Sequence, residues 1–466
     1  MNLIQTIEQE IAQITSGNLL YNTYQSQWKY LLESYIGGEE YRNANHLTKY
    51  QLESEYEYQA RLRATPLDNH CQSVISVYNS FLFRESPERD YGGLETMPEL
   101  ADFVKDADFE GRSLDAFMKE ISTWSSVFGH SWIIVAKPDV GAATRADEML
   151  MGVRPYVNLL TPLVVLDWQW HRSPSGRFTL DYFKYLEDVN GDFQTIKEWT
   201  PDTVRTRVVN ISDNTIDSDL IEDNQLGYVP AIICYNGRST VRGIGLSDIS
   251  DIADAQRFIY NATSEVEQSI RLDSHPSLVK TTETQAGIGA GSLIQMPDNL
   301  DPGLKPYLLD FKGANIEYIY KSIDHTIASI DKMANTGAAR STLNTAMSGV
   351  AMETEFQLLN AKLSEKADNI ELAEEQMWKV WADYMSTTWE GSIEYPGSFN
   401  IRDTGNEIAQ LKVAAETNPL DPRVRQAIDM QVLDWLDLDD DELAALADTT
   451  IMNPDMVPEE GELPDA

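Results

Sequence analysis

Cysteine is nearly absent from this 466-residue chain: Cys71 and Cys234 stand alone. Two such residues cannot make a disulfide framework, so they read as buried thiols in a reducing compartment. Basic side chains are also scarce. Against 75 Asp and Glu there are 36 Lys and Arg, a formal net charge of −39, which works against general adhesion to DNA or anionic membranes. No apolar run approaches the roughly 20 residues that span a bilayer, and the opening MNLIQTIEQEIAQITSG lacks the basic n-region of a signal peptide.

Motifs that carry chemistry are missing as well. No Gly-x-x-x-x-Gly-Lys-Ser/Thr loop exists, which removes a P-loop ATPase. Gly287-Ile288-Gly289-Ala290-Gly291 imitates a phosphate loop but lacks the following lysine and the strand-to-helix setting. His46, His70, His130, His171, His275 and His325 show neither His-Glu-x-x-His spacing nor a Cys/His cluster. A Gly-x-Ser-x-Gly elbow is absent. Asp248/Asp251 and Glu374/Glu375 read as solvated carboxylates favoured near helix starts. Trp168/Trp170 and Tyr182/Tyr185 have no interleaved basic stripe, so packing is preferred over base stacking. No catalytic residue, metal or cofactor is expected.

What the chain does have is length in its helices. At 42% hydrophobic and 24% charged residues it is an ordinary folded composition, sized for two to four structural units. Three amphipathic patterns fall between Gly243 and Glu390. Leu246–Leu272 carries Ile249, Ile252, Phe258/Ile259, Ala262, Val266 and Ile270; Asn315–Ala334 repeats Ile316, Ile319, Ile323, Ile327 and Ile330. Val350–Trp389 runs through Met352, Phe356, Leu359, Leu363, Ile370, Met377, Trp381 and Tyr384. These spacings mark apolar stripes that must be covered.

The first 85 or so residues read as helices, broken at Ile36-Gly37-Gly38 and Thr65-Pro66, with another helix over Ser113–Val127. Residues 131–240 read as mainly β, with runs at Ser131–Ala136, Tyr156–Leu160, Val164–Trp168, Phe178–Leu186 and Phe193–Trp199. Asn190-Gly191-Asp192 signals a hairpin. Pro276–Lys312 is a Gly/Pro-rich insert, and GAARSTLNTAMSG links the last two long helices. Asn315 is placed to cap the second long helix, and Asn335-Thr336-Gly337 to end it. A separate helical unit follows, with a capping box at Thr404–Glu407, Asp421-Pro422 at a helix start, and an acidic stretch from Asp437 to Ala466.

In this order the parts resemble those of tailed-bacteriophage portal proteins. SQWKYLLESYIGGEEYR and YEYQARLRATPLDNHCQSVISVYNSFLF are similar to the family's N-terminal helices; WSSVFGHSWIIVAKPD and RPYVNLLTPLVVLDW are similar to its central α/β segment. LGYVPAIICYNGRSTVRGIGLSDISDIADAQRFIYNATSEVEQSI, NIEYIYKSIDHTIASIDKMANTG and SGVAMETEFQLLNAKLSEKADNIELAEEQMW resemble its stem helices and the long helix after the tunnel loop. The match covers roughly residues 25–450, and its order is more specific than any one piece.

The resemblance implies an α+β, predominantly α chain assembled as a cyclic ring, usually of twelve copies, at one capsid vertex. On that reading residues 1–245 are the wing, 246–275 the first stem helix, 276–310 the clip and 311–336 the second stem helix. Residues 337–350 are the tunnel loop, 351–400 the long helix and return to the wing, and 401–466 the crown and acidic tail. Such a ring passes double-stranded DNA without sequence specificity during packaging and ejection. It meets the terminase large subunit and later head-tail adaptor or tail proteins at the clip, and the major capsid protein at the wing. The chain is thus expected in virions, and in the host cytoplasm during assembly.

Lys332 and Arg340, with Asn344 and Met347 beside them, are the candidates for touching the DNA backbone; the competing reading pairs the two cations with acids of an adjacent subunit. Ile316, Ile319, Ile323, Ile327 and Ile330 are the subunit-interface candidates, and Gly287, Gly289 and Gly291 the clip-loop candidates. Two other readings stand beside the portal: a viral structural or scaffold-type protein without a DNA channel, and a metal-dependent hydrolase within the β region. Arg340→Ala is expected to preserve ring assembly and to lower the amount of nuclease-protected DNA in particles; unchanged packaging removes that side chain from DNA contact.

Overall fold

In the computed structural model the described residues are 3–138, 140–141, 144–274, 277–282, 285–286, 294–295, 298–299, 301–309, 314–337 and 349–399. The chain divides into units 1–399 and 400–466. The helical unit expected over 401–466 lies outside the described residues, as do the capping box, the Asp421-Pro422 helix start and the acidic stretch read there.

The N-terminal part is helical: α1 (Leu3–Thr15), α2 (Leu19–Ile36), α3 (Gly38–Asn43), α4 (Glu55–Ala64) and α5 (His70–Leu82). The Asn18 side chain accepts from the Tyr21 backbone N–H to start α2, and the Asn18 backbone N–H donates to the Leu166 carbonyl at 2.8 Å. One residue therefore both caps a helix and pins it to a strand. Ser54 and Glu57 form a reciprocal capping box on α4. Strand β1 (Glu88–Asp90) and α6 (Pro98–Lys105) lead to α7 (Leu114–Phe128), capped by Ser113. Gly129 ends α7 at φ 90°, and a Cβ there would lie 2.5 Å from the Gly245 carbonyl carbon. Only glycine permits both the left-handed turn and this contact between backbones.

The β region follows the expected runs and extends them. Strand β2 (His130–Ala136) is flanked by β3 (Tyr156–Leu160) and, further along the chain, β9 (Ala231–Tyr235), antiparallel on both sides; α8 (Arg145–Leu150) interrupts the connection from β2 to β3. Six of the seven β2 residues are buried, and from Trp132 to Ala136 its run is continuously apolar rather than alternating. A five-stranded antiparallel meander holds β4 (Val165–Arg172), β5 (Phe178–Asn190), β6 (Phe193–Trp199), β7 (Thr203–Asn210) and β8 (Thr215–Asp223). The Asn190–Phe193 hairpin pairs as its turn residues require, with Gly191 at φ 61°. Trp132 on β2 packs on Trp168, Trp170 and Phe183, joining the two sheets.

Three long helices complete the described fold. Helix α9 is Ser250–Ser274 and α10 is Ala314–Ala334. Between them β10 (Ser277–Val279) pairs with β13 (Tyr307–Leu309), and β11 (Gln285–Ala286) with β12 (Ile294–Gln295). Helix α11, Gly349–Tyr384, is roughly 54 Å long at 1.5 Å per residue. The chain then returns through β14 (Ser392–Glu394) onto β1.

Several boundaries differ from the sequence reading, each for a local reason. Helix α9 begins at Ser250 rather than at 246, because Ser247 and Asp248 turn inward to other partners. Helix α10 begins at Ala314, so Asn315 lies in its first turn and is not the cap. Asn335 at φ 57° and the Thr336 N–H bond to the Asp331 carbonyl close it as anticipated. Helix α11 stops five residues before Trp389, which folds back to stack on Trp378 with ring centres 5.7 Å apart.

The isoleucine stripe of α10 is covered by its own chain. Ile323 and Ile330 are buried in the main core, and Ile316, Ile319 and Ile327 are half-buried against it. On α9, Ile249, Ile252, Ile259 and Val266 are buried while Phe258 and Ile270 stay exposed. The stripe named above as interface candidates is thus mainly an intrachain seam, with half-buried Ile319 at its edge also lining an open groove beside α9. Apolar surface on the other faces, Phe258, Tyr318, Tyr320 and Met333, is what remains for a neighbour. Ile330→Ala should cost about 2–5 kcal/mol in urea unfolding of the unassembled chain, and Tyr318→Ala no more than about 0.5 kcal/mol; equal costs would contradict this division of faces.

Candidate functional site

The polar centre of the long-helix region is a buried carboxylate serving two lysines. Asp248, in the turn before α9, bonds Lys366 at 2.7 Å and Lys362 at 3.1 Å, one helical turn apart on α11. Lys366 also donates to Ser126 of α7 at 2.7 Å and to Asn236. Lys362 donates to the Tyr78 hydroxyl at 3.0 Å, and that hydroxyl donates to the Ala334 carbonyl at the end of α10 at 2.6 Å. One connected network thereby fixes the entry to α9, the exit of α10 and the middle of α11.

The electrostatics follow from two cations sharing one anion. Burial alone would raise the Asp248 carboxyl, but the two ammonium groups hold it down at about 2, below its ordinary 3.8. Lys366 is pushed below its ordinary value by burial, which the shared carboxylate does not fully offset. Lys362, closer to solvent, is raised by Asp248 and Tyr78. Asp248 is therefore a structural ion, not the solvated carboxylate expected from sequence.

Glu374 corrects the same reading. It is fully buried on α11, accepts from Arg89 of β1 at 2.6 Å, and takes further bonds from Tyr395 and Trp378. Burial and the neighbouring carboxylates act oppositely on Arg89; Glu374 wins and its guanidinium is held charged. Trp168 and Tyr185 are buried in the sheet core, in line with packing. His130, also buried, has its ring pushed down to about 3 and is neutral.

Of the DNA-facing candidates, Lys332 is exposed in the last turn of α10, where a cation suits the helix dipole, and makes no ion pair among the described residues. Arg340, Asn344 and Met347 lie outside the described residues. So do the clip candidates Gly287, Gly289 and Gly291. Among the described residues no group of three or more His, Cys, Asp or Glu side chains is placed to hold a metal ion, and no helix is long and apolar enough to cross a membrane.

Two features escaped the sequence reading. The Asp248 network had one usable signal, since Lys366 sits three residues after Leu363 and four before Ile370, inside the apolar stripe. The other is an open groove of about 470 Å³ between α9, α10 and the loop at Thr48–Tyr50, lined by Tyr50, Phe258, Ala262, Tyr318 and Ile319 among others; nothing local in sequence joins residues 50, 258 and 318.

Asp248→Asn leaves the buried Lys366 and the half-buried Lys362 ammonium groups without their anion and should cost about 3–5 kcal/mol at pH 7. Because the native carboxyl lies below its unfolded value, its contribution is complete above that value and drains as pH falls from 3.8 toward 2. The stability gap between native and variant chains, from urea unfolding at stepped pH, should narrow over that window; a gap that widens there would contradict the assignment.

No family model matches the chain, and no curated protein matches it. Among solved structures it resembles a chain of the "Virion of native gene transfer agent (GTA) particle", at 11% identity and TM-score 0.44, covering 77% of this chain and 89% of that one. A chain of the "Neck of empty GTA particle computed with C6 symmetry" is similar at 10% identity and TM-score 0.46, covering 84% and 98%. A third, from the "Neck of native GTA particle computed with C12 symmetry", is similar at 11% identity and TM-score 0.42, covering 76% and 88%. The resemblance to particle-neck chains thus spans most of this chain.

Proposed function

We propose that this protein is a portal: a closed ring at one capsid vertex through which double-stranded DNA enters and leaves. The observation that carries the reading is the pair α9 and α10. Their inner faces close on the chain's own core, while the outer faces keep Phe258, Ile270, Tyr318, Tyr320 and Met333 exposed. Large apolar side chains left on the flanks of long helices suit repeated contacts between identical copies.

In this reading α9 and α10 form the stem, the β10–β13 insert the clip, and residues 337–350 the tunnel loop. The clip receives the packaging motor and later the adaptor or tail proteins, and residues 1–245 meet the major capsid protein. The chain breaks no bonds; the motor's ATPase is another protein. Its −39 charge keeps phosphates from adhering to a lumen lined by it. Arg340, near the narrowest point, touches the backbone in passing.

Negative-stain images of the purified chain, alone and with capsid protein, are expected to show rings with a central hole. Monomers or dimers under all these conditions would remove the portal reading and leave a structural protein without a channel.

A further inference from the structure

Helix geometry gives α10 two unlike flanks. Successive residues turn by about 100°, so Tyr318 and Tyr320 project roughly 200° apart. Tyr318 is 72% exposed and lines the open groove with Phe258, Ile319 and Tyr50; Tyr320 is 48% exposed on the other side of the buried seam. Charge divides in the same way. Glu317, Asp324 and the half-buried Asp331 recur at seven-residue intervals toward the Tyr320 side, Glu317 paired there with Lys321 at 2.8 Å. Tyr318, His325 and Lys332, all exposed, recur at the same interval toward the groove side.

The groove is a built surface. Tyr50 is held by the Arg61 guanidinium 4.0 Å over its ring and by its hydroxyl donating to Glu265 at 2.6 Å. Thr48 beside it donates its N–H to Asn261 of α9 at 2.8 Å. Glu265, the one carboxylate among the lining residues, is engaged by that tyrosine, so the groove presents mainly aromatic and apolar surface, with exposed His325 and Lys332 further along the same side of α10.

We propose that the occupant of this groove is a second copy of the chain, entering by the Tyr320 flank of its α10. A head-to-tail contact needs two different patches on opposite sides of one molecule, and these two are opposite in direction and complementary in character. Tyr320 supplies the aromatic insert, and the exposed Asp324 of the incoming copy lies toward Lys332, while Glu317 is already paired with Lys321 of its own helix at 2.8 Å. Lys332 then meets an acid of the neighbouring subunit rather than DNA. The inference rests on the ring reading and names the contact that closes the ring.

The test is a cysteine pair at the two patches, Phe258→Cys with Tyr320→Cys, in the full chain. Upon mild oxidation the double variant is expected to give a ladder of covalent multimers on non-reducing gels, while each single variant stays monomeric there. Phe258→Glu is expected to abolish rings with unchanged far-ultraviolet circular dichroism and thermal transition. Rings of the double variant without a ladder, or intact rings of Phe258→Glu, overturn the proposed contact and leave the ring reading standing. Absence of rings from the unmodified chain overturns both.

Discussion

A single carboxylate, Asp248, holds two lysines inside the protein, and the arrangement of the long helices depends on it. Removing three charged groups from water is expensive, so such a cluster is a weak source of net stability. What it supplies is register. Lys362 and Lys366 lie one turn apart on α11, and sliding that helix by a turn would leave an ammonium group buried without its anion. Through Tyr78 the constraint reaches the Ala334 carbonyl, so the end of α10 is set by the same charges that set the entry to α9.

A second anchor lies two turns further along α11, where buried Glu374 takes Arg89, Tyr395 and Trp378. The eight residues from Lys366 to Glu374 span roughly 12 Å, and between them Ile370 and Ala373 are buried. Helix α11 is thus staked at two ionic points with apolar packing in between. It ties the helices, both sheets and the β1–β14 return into one core. Helices α9 and α10 can then carry exposed apolar flanks without endangering the fold, because their inner faces are already secured.

The sequence made the periodic elements legible. Stripes at helical spacing located α7, α9, α10 and α11 within a few residues, and Asn190-Gly191 located a hairpin, because these signals are local and strong. It also pointed to the seam of α10, though not to what covers it: a stripe states that cover is needed and is silent about whether the same chain or a neighbour provides it. The buried ions were missed for the opposite reason. Asp248 and Glu374 look like any of 75 acids, and what distinguishes them is contact with Lys366 and Arg89, 118 and 285 residues away. Strands β7 and β8 were folded into a general β region, since Arg, Asp and Asn interrupt their apolar runs; β9 is apolar throughout but only five residues long.

Assembly of so acidic a chain into the proposed ring poses a problem that this arrangement of charge would address. Copies carrying −39 each repel one another at long range, yet in physiological salt that repulsion fades within about 8 Å. Association must therefore be decided at contact, by apolar burial and by the signs of the few charges that meet. In the proposed contact, an aromatic groove with Lys332 further along the same helix, facing a flank that carries Asp324, would supply both terms locally while the rest of the surface remains acidic. A uniformly acidic stem would have only the apolar term to set against like-charge repulsion at close range. In the proposed ring, two unlike flanks on one helix would let the chain recognise its own copies while the rest of its surface stays negative.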